Sequence, residues 1–202
     1  MLEEYNITQT TLKIIGLYTE NYKKSIHLRE IAREVNVDVK SVQLQLQRLE
    51  KINVLSSVLK GRNKEYALNL NNTITKYYLI MAESFTSIIY LKKHFLIKKI
   101  FNEISDRIDG PLILFGSFVK GGYTKESDID IFVINEKKID KMMALKTSDL
   151  VDREINIKSS NKIQFLNGLR NKDLLINEIV SNHIILKGID EFCEIMWRYH
   201  VS

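Results

Sequence analysis

A single cysteine, Cys193, leaves this chain unable to close an internal disulfide, and the setting expected of it is a reducing, cytoplasmic one. Its place inside "EFCEIMWRYH" reads as a small buried hydrophobe rather than a nucleophile. One proline and eight glycines in 202 residues leave little material for long disordered linkers. No stretch reaches the ~18 consecutive apolar residues of a membrane span, so no membrane partner is expected. The opening "MLEEYNITQT" lacks the basic-then-apolar order of a secretory signal. What the chain does have is an ordinary globular balance of 45% apolar and 27% charged residues. Its net charge of +5 is unevenly spread: +3 over residues 1–70, +2 over 71–109 and zero over 110–202. A basic front half suits contact with nucleic acid, although an excess this small decides nothing alone.

Residues 8–20 place Leu12, Ile15 and Leu17 on a helical stripe with Ile14 beside them. "IHLREIAREVN" reads as a short helix with Leu28, Ile31, Ala32 and Val35 inward. A second helix follows after a turn, with Val39, Val42, Leu46 and Leu49 spaced +3, +4, +3. Asp38 suits its N-cap and Asn53 its left-handed end. "VLSSVLKGRNKEYALNL" then reads as strand, turn and strand, with Gly61, Arg62 and Asn63 at the tip and Tyr66, Leu68 and Leu70 alternating. This order of helix, helix–turn–helix and two-stranded ribbon resembles the small winged helix regulators of prokaryotes, of the MarR and ArsR kind. Such a helix–turn–helix would lay its second helix in a DNA major groove. Lys40, Ser41, Gln43, Gln45, Gln47 and Arg48 would then face bases and backbone, while Lys60, Arg62 and Lys64 on the wing would meet phosphates. The alternative is a protein-interaction or dimerisation module whose polar face is merely solvated.

Residues 72–109 carry a long apolar periodicity, including Ile74, Tyr77, Tyr78, Met81, Phe85, Ile88, Ile89, Phe95, Ile97 and Ile100. One long helix or two joined helices are expected, packing internally or across a homodimer. In "LKKHFLIKK", Lys92, Lys93, His94, Lys98 and Lys99 read as a solvated helix side.

The chemistry concentrates in "LFGSFVKGGYTKESDIDIFVI", residues 114–134. An apolar strand ends in Gly116-Ser117, a glycine-bearing loop follows, and a second apolar strand carries Asp128 and Asp130 two apart on one face. Two neighbouring carboxylates repel unless a cation is shared. Mg²⁺ would relieve that repulsion by bridging them to phosphate oxygens. Gly116 allows close backbone approach, and Ser117 with the amides after it can hold a terminal phosphate. Lys120 lies in the same loop and could touch phosphate. The parts suit a nucleoside triphosphate with its metal.

The pattern Gly116-Ser117, ten residues, then Asp128-Ile129-Asp130 resembles the signature of the DNA polymerase β-like nucleotidyltransferases, and among them the minimal nucleotidyltransferases of prokaryotes. The likeness is close over residues 111–134 and loose to about 190. It implies a metal-dependent transfer of a nucleoside monophosphate from an NTP to an acceptor, with pyrophosphate leaving. It also implies a third carboxylate on the next strand, "REINIKSS", which falls on Glu154 or is replaced by the amide of Asn156. With Glu154, the catalytic and metal-holding set is Asp128, Asp130 and Glu154. Three functions follow from the resemblance. One is an active nucleotidyltransferase, one a winged helix regulator that binds nucleotide without turnover, and one an antitoxin-like enzyme acting on a partner protein. The expected architecture is α+β: a winged helix domain over 1–71, a helical connector over 72–109, and a nucleotidyltransferase domain with a small mixed sheet over 110–202. His183 reads as structural, and Trp197 and Tyr199 as packing for a last helix.

Overall fold

The computed structural model describes residues 6–61, 63–137 and 141–201. It divides into two compact units, one drawn from Met1–Phe85 with Met196–Ser202, the other Thr86–Ile195.

In the first unit α1 (Gln9–Gly16) opens on a capping box, in which Thr8 and Thr11 satisfy one another's backbone amides. It buries Ile14 and Ile15, and Tyr18 just beyond it donates a buried hydrogen bond to the Tyr66 carbonyl at 2.9 Å. The stripe expected through Leu12 and Leu17 is therefore displaced: the helix stops at Gly16, and Tyr18 rather than Leu17 turns inward. The helix expected from Ile26 starts later, because Ser25–His27 is a strand, β1, whose backbone pairs with β3. Leu28, expected inward, is only half-buried at the start of α2 (Leu28–Val35). Helix α3 (Val39–Lys51) is capped by Asp38, which accepts the Ser41 amide at 2.9 Å, and buries Val42, Leu46 and Leu49. Val39, expected inward, is 44% exposed, since the first turn overhangs the core. Asn53 takes the left-handed conformation (φ 58°) and lets Val54 bond back to Leu49 at 2.9 Å, the Schellman ending that its position suggests. Strands β2 (Leu55–Lys60) and β3 (Asn63–Leu68) close an antiparallel sheet of order β1-β3-β2. Tyr66 and Leu68 point inward, whereas Leu70 falls beyond the strand.

The apolar run after residue 72 forms two helices, α4 (Thr73–Lys93) and α5 (Phe95–Ile104), broken at His94. Four residues expected to pack are instead turned out: Ile74, Tyr77, Ile88 and Phe95 are 40–78% exposed.

The second unit is a mixed α+β layer. Its sheet has the order β6-β5-β4-β7, formed by β4 (Leu112–Phe115), β5 (Ile129–Ile134), β6 (Ile155–Ser160) and β7 (Ile184–Lys187). The central strand β5 runs antiparallel to β4 and parallel to β6. A strand with neighbours on both sides and cover on both faces must be apolar throughout, and every residue of β5 except Asp130 is buried. One face packs on α5 through Ile97, Ile100 and Ile104. The four-residue α6 (Ser117–Lys120) joins β4 to the loop before β5. Helix α7 (Lys141–Val151) precedes β6. Helices α8 (Lys162–Arg170) and α9 (Leu174–Ser181) lie between β6 and β7, and α10 (Ile189–Val201) follows β7. Cys193 is fully buried, and His183 is buried with Nδ1 2.9 Å from the Val180 carbonyl, a structural placement for both.

Candidate active site

The site begins where β4 ends. Register places Phe115, the last residue of β4, opposite Asp130 in the middle of the sheet. Gly116 then takes φ 75°, ψ −150°, a conformation open almost solely to glycine. A Cβ on Gly116 would run into the Asp130 carboxylate. Gly116 is thus required twice, by its backbone angles and by the close approach of the acid. Its carbonyl accepts the Val119 and Lys120 amides at 3.2 and 3.1 Å, winding the single turn of α6. Ser117, half-buried, heads that turn.

Asp128 is exposed just before β5, and Asp130 is half-buried within it. Burial raises the Asp130 pKa above the ordinary carboxylate value. Asp128 and Glu178 on α9 push the same way, against Lys158 and a hydrogen bond from Asn156. The parallel register sets Asn156 directly across from Asp130, and its Nδ2 donates to Asp128 Oδ2 at 3.4 Å. Glu154 lies one step before β6. Its carbonyl accepts the Ile129 amide at 2.9 Å, while its exposed side chain lines a shallow groove with Ser148, Asp149, Asp152 and Arg153. Of the two candidates for a third polar partner, Asn156 makes the contact with the aspartates, while the Glu154 side chain lines that groove.

The loop between Ser117 and Asp128 is held by contacts that no spacing rule announces. Arg153 Nη1 donates to the carbonyls of Thr124 and Ser127 at 3.0 and 3.1 Å, and its guanidinium lies over the Phe118 ring. Tyr123 stacks on Phe118 with ring centroids 4.3 Å apart and 7° between planes. Lys120 is engaged with Glu178 at 2.6 Å. The sequence pattern already sets Lys158 on one strand face with Glu154 and Asn156, whereas Arg153 and Glu178 carry no signal in it.

The donor set suits Mg²⁺: two carboxylates two residues apart with an amide group beside them, and a glycine cradle that a side chain would fill. Among the described residues no three His, Cys, Asp or Glu side chains converge as a metal cluster. A hard cation held by one or two carboxylates and completed by substrate phosphates needs no such cluster.

The residues expected to face nucleic acid are only partly assembled. Lys40, Gln43, Gln47 and Arg48 are exposed on α3, with Leu44, 56% exposed, among them. Ser41 is half-buried. Gln45 departs from the expectation, because it is half-buried and accepts from Thr11 Oγ1 at 3.0 Å, which turns it toward α1. On the hairpin, Lys60 pairs with Glu65 at 2.6 Å and Lys64 with Glu50 at 2.8 Å. Arg62 lies outside the described residues.

Residues 97–192 match the family model described as polymerase beta, nucleotidyltransferase. A stretch of 58 residues is 38% identical to the "Putative protein adenylyltransferase" of Methanocaldococcus jannaschii, taking in 27% of this chain and 58% of that relative. Among solved structures, a toxin–antitoxin with AMP-PNP is 20% identical, with a TM-score of 0.36 over 54% of this chain and 86% of that one. A tri-AMPylated Shewanella oneidensis HEPN toxin in complex with MNT antitoxin is 18% identical, with a TM-score of 0.35 over 54% and 85%. No helix among the described residues is long and apolar enough to cross a membrane. The segment from residue 97 to residue 192 is thus similar to the nucleotidyltransferase domains of the polymerase beta kind.

Proposed function

We propose that this domain binds a nucleoside triphosphate with Mg²⁺ at Gly116, Ser117, Asp128 and Asp130, and transfers its nucleoside monophosphate to a protein acceptor. Adenylate is the first nucleotide to try, because the curated relative is described as an adenylyltransferase. The carrying observation is the approach of Gly116 to Asp130, which puts the start of α6 beside the paired carboxylates. Mg²⁺, when bound, would neutralise the phosphate charge. Asp128 and Asp130 would hold it, and Ser117 and Lys120 would orient the phosphates. The acceptor oxygen would form a bond to the α-phosphorus as the α–β phosphoanhydride breaks and pyrophosphate leaves. Glu154 would take the acceptor's proton.

A second reading, nucleotide binding without turnover, is favoured by one observation: an amide, Asn156, stands opposite Asp130 where a third acid would complete the set. Incubation with labelled ATP and a lysate separates the two. Label transfer lost in Asp130→Ala and reduced at least tenfold in Glu154→Gln supports the enzyme. Binding without transfer, with transfer gained in Asn156→Asp, supports the regulator.

The winged helix reading of residues 1–71, and of α3 as a DNA-facing helix, draws support from the element order and the β1-β3-β2 sheet. The exposed Lys40, Gln43, Gln47 and Arg48 point the same way. A homodimer through α4 draws support from the exposed Ile74 and Tyr77. A cytoplasmic setting accords with the buried Cys193 as the only cysteine. The division at residues 71 and 109, with the connector between, remains part of the same proposal.

A further inference from the structure

Lys120 does not reach open solvent unpartnered. Its Nζ lies 2.6 Å from Glu178 Oε1, a residue 58 positions away on α9. The two side chains are 47% and 38% exposed, so the pair is reachable and can be exchanged. Its position follows from the site's own backbone: Lys120 is one turn beyond Gly116, to whose carbonyl its amide donates at 3.1 Å. Gly116 in turn abuts the Asp130 carboxylate. Glu178 is set by a firm helix, whose first turn is capped by Asp173 at 3.0 Å and whose Ile176 packs against Gly168. A carboxylate oxygen and a phosphate oxygen make the same demand of an ammonium group, a charge-assisted hydrogen bond. The cation closest in sequence to the phosphate end of the site is therefore already held by an anion of the protein.

We propose that Glu178 stands in for phosphate at Lys120, holding that cation poised one helical turn from Gly116 and being displaced when a triphosphate arrives. The inference rests on the nucleotide-binding reading given above. Glu178 acts through Lys120 and is a positioning residue. It sets how tightly the site takes a triphosphate: the ligand must win Lys120 from Glu178, and binding is weaker by the strength of a half-exposed ion pair. On release, Glu178 recaptures Lys120.

The test is a double-mutant cycle on MgATP affinity by calorimetry, at one salt concentration, with wild type, Glu178→Gln, Lys120→Met and the double variant. Glu178→Gln is expected to tighten binding about two- to fivefold, the range of an exposed pair. In the Lys120→Met background the same change is expected to alter affinity by less than about 1.5-fold, since no cation remains to be contested. Glu178→Ala, which also removes the carboxylate, must tighten binding as Glu178→Gln does. Equal tightening in both Lys120 backgrounds would mean that Glu178 acts only as a repelling charge, and would overturn the proposal. So would wild-type affinity in Glu178→Gln. If none of the four proteins bound MgATP, the nucleotide reading itself would fall, an outcome distinct from binding that ignores Glu178.

Discussion

Asp130 is a carboxylate that the fold tolerates at some cost. It is the one residue of β5 that is not fully buried, between a strand on either side. Burial raises its pKa, with Asp128 and Glu178 pushing the same way against the opposing pull of Lys158 and Asn156. The folded chain therefore keeps the Asp130 proton at pH values where the unfolded chain has released it. The stability tied to this group is fully present below the ordinary carboxylate pKa and is lost as pH rises through the raised one. Asp130→Asn is accordingly expected to unfold at a higher temperature than wild type at pH 7, with the difference narrowing toward pH 4. Thermal melts of the two proteins across that range check this, and a pH-independent difference would contradict it. A residue that lowers stability where it stands, on a strand otherwise built for burial, is kept for its chemistry.

Among the elements, the loop from Gly121 to Ser127 connects the phosphate end of the site to the aspartates. Its shape depends on Arg153, which binds two of its carbonyls and lies over Phe118. Arg153→Ala is expected to speed amide exchange at Thr124 and Ser127 by tenfold or more while leaving β5 protected, and to weaken MgATP binding several-fold. Hydrogen exchange read residue by residue distinguishes this from general destabilisation, which would speed exchange in β5 as well. The elements also show what a sequence discloses. Strand β5, the Gly116 turn, the Asp38 cap and the Asn53 ending were legible because each rests on local chemistry: an apolar run, an open backbone angle, a side-chain acceptor. The parity of the Asp128 and Asp130 positions was legible for the same reason. Which residue of "REINIKSS" would stand beside the aspartates was not, since that is settled by the parallel register of β5 against β6, a pairing of segments 26 residues apart. Glu178 and Arg153 were hidden likewise, their contacts being set by tertiary packing alone. Exposure on α4 was misjudged because periodicity shows that a helix has an apolar stripe without showing what covers it.

At the scale of the molecule, the chain joins a segment similar to nucleotidyltransferases to an N-terminal unit whose hairpin lysines Lys60 and Lys64 are held in ion pairs. Lys60 and Lys64 are each within 2.8 Å of a glutamate, whereas no acid lies within ion-pair distance of Lys40 or Arg48 among the described contacts. If duplex DNA binds this unit, Lys40→Ala with Arg48→Ala is expected to weaken binding more than Lys60→Ala with Lys64→Ala, and to reduce the salt slope by about two. Fluorescence anisotropy at several salt concentrations measures both quantities, and the reverse ranking would place the contact on the hairpin. The central claim concerns the other unit, and Mg²⁺-dependent ATP binding tests it most directly. Calorimetric titration with ATP, with and without Mg²⁺, should show binding to wild type that needs the metal. Binding should be lost in Asp128→Asn/Asp130→Asn, and in Gly116→Ala, whose new methyl group collides with Asp130. ATP binding that persists undiminished in both variants, or that ignores Mg²⁺, would contradict the account.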